Sequence, residues 1–81
     1  MRLKVRFFAT FREIVGAREK TIALDGRATV DSLLARLYET HPKLKSFDEN
    51  VLVAVNQEFV NRGIALADGD EVALMPPVSG G

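Results

Sequence analysis

The sequence predicts an α+β fold in which a mixed sheet packs on one main helix. Its 81 residues suffice for one hydrophobic core and are too few for two, so we expect a single domain over residues 1–81. Several short segments alternate apolar and polar side chains, as half-buried strands do. One longer segment repeats apolar residues at helical spacing, and a lone amphipathic helix needs a sheet to cover.

The first two strands are predicted to pair as a hairpin with a long loop. Residues 2–9 alternate between two faces, with Leu3, Val5, Phe7 and Ala9 on one and Arg2, Lys4, Arg6 and Phe8 on the other. A short helical turn then ends at Gly16. The second strand closes at Asp25 and Gly26, where turn-forming residues follow each other.

The main helix is predicted from Thr29 to His41. Thr29 can cap its first turn, and Pro42 prevents its continuation. Its apolar stripe consists of Val30, Leu33, Leu34, Leu37 and Tyr38.

The remaining chain predicts three more strands, which gives the order ββαβββ. Residues 43–50 are expected to form a polar connection, and residues 51–55 a short buried strand. Residues 56–60 predict a turn and a brief extended piece, and residues 68–70 a tight turn. In the last strand, residues 71–76, the inward face is predicted to carry Val72 and Leu74, and the other face Glu71, Ala73 and Met75.

Composition restricts the function classes. Lys plus Arg equals Asp plus Glu, at 11 each, so the chain has no overall charge that would attract nucleic acid or an acidic membrane. The absence of cysteine excludes disulfides, thiolate metal sites and a cysteine nucleophile. The first residues are interrupted by charges too often for a signal peptide or a membrane span. We therefore expect a cytoplasmic protein that binds neither nucleic acid nor membrane.

The sequence ends in a tail, residues 76–81, with unusual backbone properties. Pro76 and Pro77 stiffen its base, whereas Gly80 and Gly81 have no side chain to prevent entry into a narrow channel. Fully extended, the tail would span roughly 20 Å. Its terminal carboxylate is an anion at neutral pH and a poor electrophile, so it needs activation. The chain has no phosphate-binding loop or metal-ligand cluster for this, which implies a second enzyme.

Other candidate residues have simpler interpretations. His41 is a possible general base, but its place before Pro42 is more typical of a helix end. Asp68 and Asp70 lack the remaining residues of a calcium loop, so a structural turn is favoured. Ser79 has no base or orienting acid that can be assigned to it. No metal site is predicted.

Two apolar residues are predicted on the outward face of their strands, Phe8 and Met75. Single exposed apolar residues are normal on soluble proteins. Two of them near the tail favour a binding patch over chance exposure.

The segments FFATFREIVG, VAVNQEFV and DGDEVALMPPVSGG resemble the MoaD family, the small sulfur-carrier subunits of molybdopterin synthase, along essentially the whole chain. The strand order around one helix is similar to the ubiquitin-like β-grasp fold. Thiamine-pathway sulfur carriers also end in Gly-Gly, but they usually lack the pattern at residues 7–13 and the pair Pro76 and Pro77.

The resemblance implies that an ATP-dependent adenylyltransferase (MoeB-like), using ATP and Mg, adenylates the Gly81 carboxylate. Sulfur from a persulfide donor then displaces AMP, and Gly81 becomes a thiocarboxylate. Within the synthase, this group attacks a pyranopterin precursor held by the large subunit (MoaE-like), and two deliveries build the dithiolene that holds molybdenum or tungsten. This chain itself would bind no cofactor and would not be an enzyme alone.

The resemblance also implies which residues contact these partners. Because the first and last strands of a β-grasp sheet are neighbours, it places Phe8 beside Met75, with Phe59 as a third member of the patch. The partner-binding residues are then Phe8, Phe59, Met75, Pro76, Pro77, Val78 and Ser79, and the reacting end is formed by Gly80 and Gly81.

Two alternative functions stay open at the level of sequence. The activated carboxylate of a ubiquitin-like protein can be joined to lysines of target proteins, which would make the chain a protein modifier. The chain can also be a passive interaction module whose terminal glycines have no chemical role. The metal of the finished cofactor and the stoichiometry of the complex are not determined by the sequence.

Overall fold

The computed structural model describes residues 1–77. These form five strands, two α-helices and one 3₁₀ helix. In chain order the elements are β1 (Arg2–Phe7), α1 (Thr10–Val15), β2 (Glu19–Ala23), α2 (Val30–Thr40), the 3₁₀ helix (Pro42–Phe47), β3 (Leu52–Val55), β4 (Glu58–Phe59) and β5 (Glu71–Met75).

The strands form one mixed sheet in the order β2-β1-β5-β3-β4. β1 pairs with β5 in parallel, and the other neighbours are antiparallel. The predicted α+β architecture and the predicted hairpin of the first two strands are confirmed. The first and last strands of the chain lie side by side at the centre of the sheet.

The core lies between one face of this sheet and the helices. The inward residues of β1 and β5 are at most 1% exposed, and so is the apolar stripe of α2 apart from Tyr38. Fully buried side chains of this size each contribute about 1.5–3 kcal/mol through the hydrophobic effect. They are Leu3, Val5, Phe7, Val72 and Leu74 of the sheet and Val30, Leu33, Leu34 and Leu37 of α2.

Helix α2 begins and ends as predicted. The Thr29 side chain accepts a hydrogen bond from the Ser32 amide at 3.3 Å, and the Ser32 hydroxyl accepts one from the Thr29 amide at 3.2 Å. This reciprocal capping satisfies two amides that a helix start leaves without partners. At the other end, the His41 amide donates to the Leu37 carbonyl at 2.7 Å, and Pro42 opens the 3₁₀ helix.

The polar connection predicted for residues 43–50 is wrong. Most of it is a 3₁₀ helix in which Leu44 is buried, and Phe47 is partly buried against the core. Residues three apart lie on the same side of a 3₁₀ helix, so Leu44 and Phe47 both face the core. Phe47 packs edge-on against Phe11 with 5.3 Å between ring centroids.

Two predictions about strand faces are also wrong. β1 ends at Phe7, and Ala9 is exposed rather than inward because the chain turns there with φ 51°. The segment 51–55 contains the predicted strand, β3, with Val53 and Ala54 buried, but it is not buried throughout, since Leu52 is 39% exposed on the open face of the sheet. None of the helices within residues 1–77 is long and apolar enough to cross a membrane.

Candidate functional site

The open face of the sheet, on the side away from α2, carries a group of apolar side chains near the end of β5. Residues opposite each other on paired strands share a face. Leu52 lies opposite Met75, and Ala54 opposite both Ala73 and Phe59. Since Leu74 points into the core, these side chains point away from it. The patch therefore spans β5, β3 and β4.

Three of these residues, Leu52, Phe59 and Met75, line an apolar groove of about 690 Å³. Phe59 is 71% exposed, the largest exposed fraction among the large hydrophobic residues that the structure describes as exposed. An exposed aromatic side chain within a contiguous apolar patch is typical of a contact site. The lining also includes Phe8, Phe47, Pro76 and Pro77.

Phe8, another residue that lines this groove, is held in place by its neighbours. Its amide donates to the Leu74 carbonyl at 3.3 Å, which fixes the chain just beyond the end of β1. The Arg6 guanidinium lies over the Phe8 ring, 5.4 Å from its centroid, and binds the Glu71 carboxylate at 3.3 Å. Arg6 therefore connects the aromatic ring to β5 through a cation–π contact and an ion pair.

The turn after Phe8 is strained. Ala9 has φ 51° and ψ −126°, a region that residues with a side chain rarely occupy. The Phe11 amide donates to the Phe8 carbonyl at 3.1 Å, which closes a turn with Ala9 at its second position. This turn directs the chain away from β1 into α1 and leaves Phe8 beside Met75.

The structure brings together five of the predicted partner-binding residues, Phe8, Phe59, Met75, Pro76 and Pro77, along one groove. Their role in binding a partner stays a prediction. The other predicted site residues, Val78, Ser79, Gly80 and Gly81, lie outside the described residues.

Sequence reasoning missed Leu52 and Phe47, which line the same groove. No signal was available for Leu52, because all five residues of the segment 51–55 are apolar and the sequence does not show which face of the strand is open. Phe47 lies in a segment whose residues predicted a polar connection.

The weaker candidates from the sequence have structural roles. In the predicted turn at residues 68–70, the Asp68 carboxylate accepts a hydrogen bond from the Arg2 amide at 2.6 Å. The Asp70 carboxylate accepts one from the Ala67 amide at 2.8 Å. His41 caps the end of α2. No group of three or more acidic or histidine side chains with metal-binding geometry occurs in the part of the chain that the structure describes.

A polar cluster joins α2 to the end of the 3₁₀ helix. Arg62 binds the carboxylates of Asp31 at 2.7 Å and Asp48 at 2.8 Å, and it donates to the Asp48 carbonyl at 2.8 Å. The Tyr38 hydroxyl donates to the Asp48 carboxylate, which, together with Arg62, lowers the pKa of Asp48. Burial and this same hydrogen bond raise the pKa of Tyr38.

A model of the ThiS family matches residues 5–81 of this chain. The chain belongs to the ThiS family. A molybdopterin synthase sulfur carrier subunit of Chlamydomonas reinhardtii is 45% identical over the full length of both proteins. Small archaeal modifier protein 1 of Haloferax volcanii is 39% identical, over 94% of this chain and 97% of that protein.

Solved structures support the same assignment. The crystal structure of the Haloferax volcanii modifier SAMP1 superimposes with a TM-score of 0.86 and 38% identity over the whole of both chains. A chain in the complex of subunits 1 and 2 of the molybdopterin-converting factor from Helicobacter pylori superimposes with a TM-score of 0.70 and 28% identity, again over the whole of both chains. The ubiquitin-like β-grasp fold implied by the sequence resemblance is thereby confirmed.

Proposed function

We propose that this ThiS-family chain is the sulfur-carrier subunit of a molybdopterin synthase and delivers sulfur from its C-terminal Gly81. The observation that carries the proposal is the position of the apolar groove, which reaches Pro76 and Pro77, just before the last four residues. A partner seated on this groove would receive the tail next to its own active site. The full-length similarity to named sulfur carriers supports this assignment.

The chemistry follows from the properties of the terminal carboxylate. As an anion it resists nucleophilic attack, so an ATP-dependent adenylyltransferase converts it to an acyl adenylate with release of pyrophosphate. The terminal sulfur of a persulfide donor then attacks the Gly81 carbonyl carbon and displaces AMP. A thiol cleaves the remaining S–S bond and leaves the thiocarboxylate, the nucleophile that attacks the pyranopterin precursor in the large subunit.

The contribution of this chain is binding and delivery. The groove supplies an apolar surface on which the adenylyltransferase and the large subunit dock in turn, with Phe59 and Phe8 as aromatic anchors. Pro76 and Pro77 restrict the direction in which the tail leaves the domain. Gly80 and Gly81 place no side chain in the path of the reacting carbon. Activation therefore takes place in the partner's site.

Intact-mass spectrometry tests the proposal directly. After incubation with the adenylyltransferase, ATP, Mg and a persulfide donor, the chain should gain the mass difference between sulfur and oxygen. A matched chain that lacks only Gly81 should keep its fold and gain nothing. An unmodified full-length chain, with an enzyme that charges another sulfur carrier in the same assay, would contradict the proposal.

A second candidate function is protein modification, which the similarity to small archaeal modifier protein 1 favours. The same acyl adenylate can be attacked by a lysine of a target protein instead of by sulfur. Denaturing gels of cells that express an epitope-tagged chain should then show larger conjugates that disappear when Gly80 and Gly81 are deleted. A single free species under all growth conditions would exclude conjugation as the main role.

A further inference from the structure

A second groove lies at the β2 edge of the sheet, opposite the β4 edge that borders the apolar groove. It has a volume of about 290 Å³ and runs between β2 and the C-terminal half of α2. Its lining combines apolar and basic side chains and includes Lys20, Ile22, Arg36, Leu37, Thr40 and His41. The proposed sulfur transfer makes no use of it.

The backbone of β2 offers hydrogen-bonding groups along this groove. The Phe7 amide donates to the Arg18 carbonyl at 2.8 Å, and the Leu24 amide donates to the Met1 carbonyl at 2.9 Å. Because hydrogen-bonded pairs alternate along an antiparallel ladder, the amides and carbonyls of Glu19, Thr21 and Ala23 point away from β1. Within residues 1–77 no further strand pairs with them.

The side chains give the groove its charge. Lys20 and Ile22 lie opposite Val5 and Leu3, so they point to the same side of the sheet as the core. Lys20 is nevertheless exposed, because it lies at the open edge. It faces the groove together with Arg36 of α2, and among residues 1–77 no aspartate or glutamate lines this groove. The site therefore presents two cations beside an apolar floor of Ile22 and Leu37.

We propose that this groove binds an extended acidic segment of a partner protein, which adds to the sheet as a strand next to β2. Such a strand would lie about 4.8 Å from β2 and bond to the outward amides and carbonyls. Alternate side chains of the segment would face the groove, with apolar groups on Ile22 and Leu37 and carboxylates beside Lys20 and Arg36. The inference does not depend on the proposed sulfur transfer.

The competing explanation is that Lys20 only protects the edge. An inward-pointing charge on an edge strand discourages pairing with other chains. That role requires no ligand and no contribution from Arg36. The two explanations differ in whether acidic peptides bind and in what removal of the charges does to the chain alone.

Nuclear magnetic resonance titration of the full ¹⁵N-labelled chain separates them. The probe is a capped peptide, Asp-Thr-Val-Thr-Val-Thr-Asp, whose first, third, fifth and seventh side chains would face the groove. Its matched control has both aspartates replaced by lysine. We expect the acidic peptide to shift the amide signals of Glu19, Thr21 and Ala23 and those of residues 36–41, with an affinity that falls as salt is added. The basic peptide should bind far more weakly.

The variant Lys20→Gln with Arg36→Gln should lower the affinity about three- to tenfold. Phe59→Ala, in the other groove, should leave it unchanged. Equal binding of both peptides, no shifts at millimolar peptide, or shifts confined to the apolar groove would overturn the proposal. So would a double variant that self-associates while neither peptide binds the parent chain, because the charges would then only guard the edge.

Discussion

The two faces of the five-stranded sheet differ in exposure, since one is buried against the helices and the other is open to solvent. On the covered face, Leu3, Val5 and Phe7 are at most 1% exposed, whereas on the open face Phe59 is 71% exposed. β5 serves both faces, because Leu74 points into the core and the next residue, Met75, lines the apolar groove. Because successive side chains of a strand point to opposite faces, one residue of β5 stabilises the core while the next is available for binding.

The charged and apolar parts of the open face are also separate. Toward β2, Lys4 pairs with Glu19 at 3.7 Å, and Arg6 pairs with Glu71 on β5 at 3.3 Å. Exposed pairs such as these contribute little to stability. Toward β4 the surface is apolar. The two parts meet at Phe8, because the Arg6 guanidinium lies over its ring. Substitutions should distinguish the core from the groove.

The largest expected effect comes from the covered face. Leu74→Ala removes a fully buried side chain and should lower the free energy of unfolding by about 2–5 kcal/mol through lost burial and the cavity left behind. The melting temperature should fall by roughly 10 °C or more for a domain of this size. The matched control is Met75→Ala, one residue further on the open face, which should lower stability by less than about 1 kcal/mol. Equal losses would mean that Met75 belongs to the core.

On the open face, substitutions should weaken binding and leave stability almost unchanged. Phe59→Ala should weaken binding to the large synthase subunit by about 1–3 kcal/mol, or roughly 5- to 150-fold, with unfolding changed by less than about 0.5 kcal/mol. Calorimetric titration and thermal melts measure the two quantities.

A matched pair strengthens this test. Leu52 and Ile64 are both 39% exposed, but only Leu52 lines the groove. Leu52→Ala should therefore weaken binding, whereas Ile64→Ala should not. Equal weakening by both variants would show that general surface hydrophobicity, and not the groove, determines binding.

Low pH should weaken the polar cluster that joins α2 to the end of the 3₁₀ helix, and so lower the free energy of unfolding. The hydrogen bond from Tyr38 and the contact with Arg62 hold the pKa of Asp48 below its usual range. A carboxyl with a lowered pKa in the folded chain contributes stability above its unfolded pKa, and this contribution is lost as pH falls through the folded value. The loss should therefore occur below about pH 4.

Asp48→Asn tests this assignment. The variant should be less stable than the parent at pH 7, by about 1 kcal/mol because the site is partly exposed. The difference should shrink as pH falls from 4 toward 2, since the parent then loses the same charge. Urea unfolding at several pH values measures it. A difference that is constant with pH would show that the Asp48 charge contributes nothing.

The fold was largely predictable because its elements carry strong local signals. The period-two pattern of β1 and β5 and the Thr29 cap with its apolar stripe are read directly from neighbouring residues. The 3₁₀ helix was missed because only Leu44 and Phe47 face inward in a polar segment, too few to produce a detectable period. Ala9 was misplaced because a positive φ at alanine has no sequence signal.

The site was predictable only in part. Phe8 and Met75 were found because they break the polar pattern of an outward strand face. Leu52 was missed because a run of apolar residues looks buried on both sides until the sheet shows which face is left open. Pairing of β1 with β5, which brings the groove residues together, joins residues far apart in sequence and was expected only from the family resemblance.

The smallest expected effect concerns the strained turn at Ala9, between the end of β1 and the start of α1. Ala9 at φ 51° follows Phe8, the residue at which the chain leaves the sheet. Glycine has no Cβ and occupies such angles freely, so Ala9→Gly removes the strain from the folded chain. The unfolded chain gains conformational entropy, which offsets part of this gain. The net result should be a stabilisation of about 0.5–1 kcal/mol, visible as a higher urea midpoint with an unchanged slope.

The matched control is Ala35→Gly, at an exposed position within α2, which should lower stability by about 1 kcal/mol. If both glycine variants lose stability, the turn at Ala9 stores no strain, and the position of Phe8 beside Met75 depends on the Arg6 and Leu74 contacts alone.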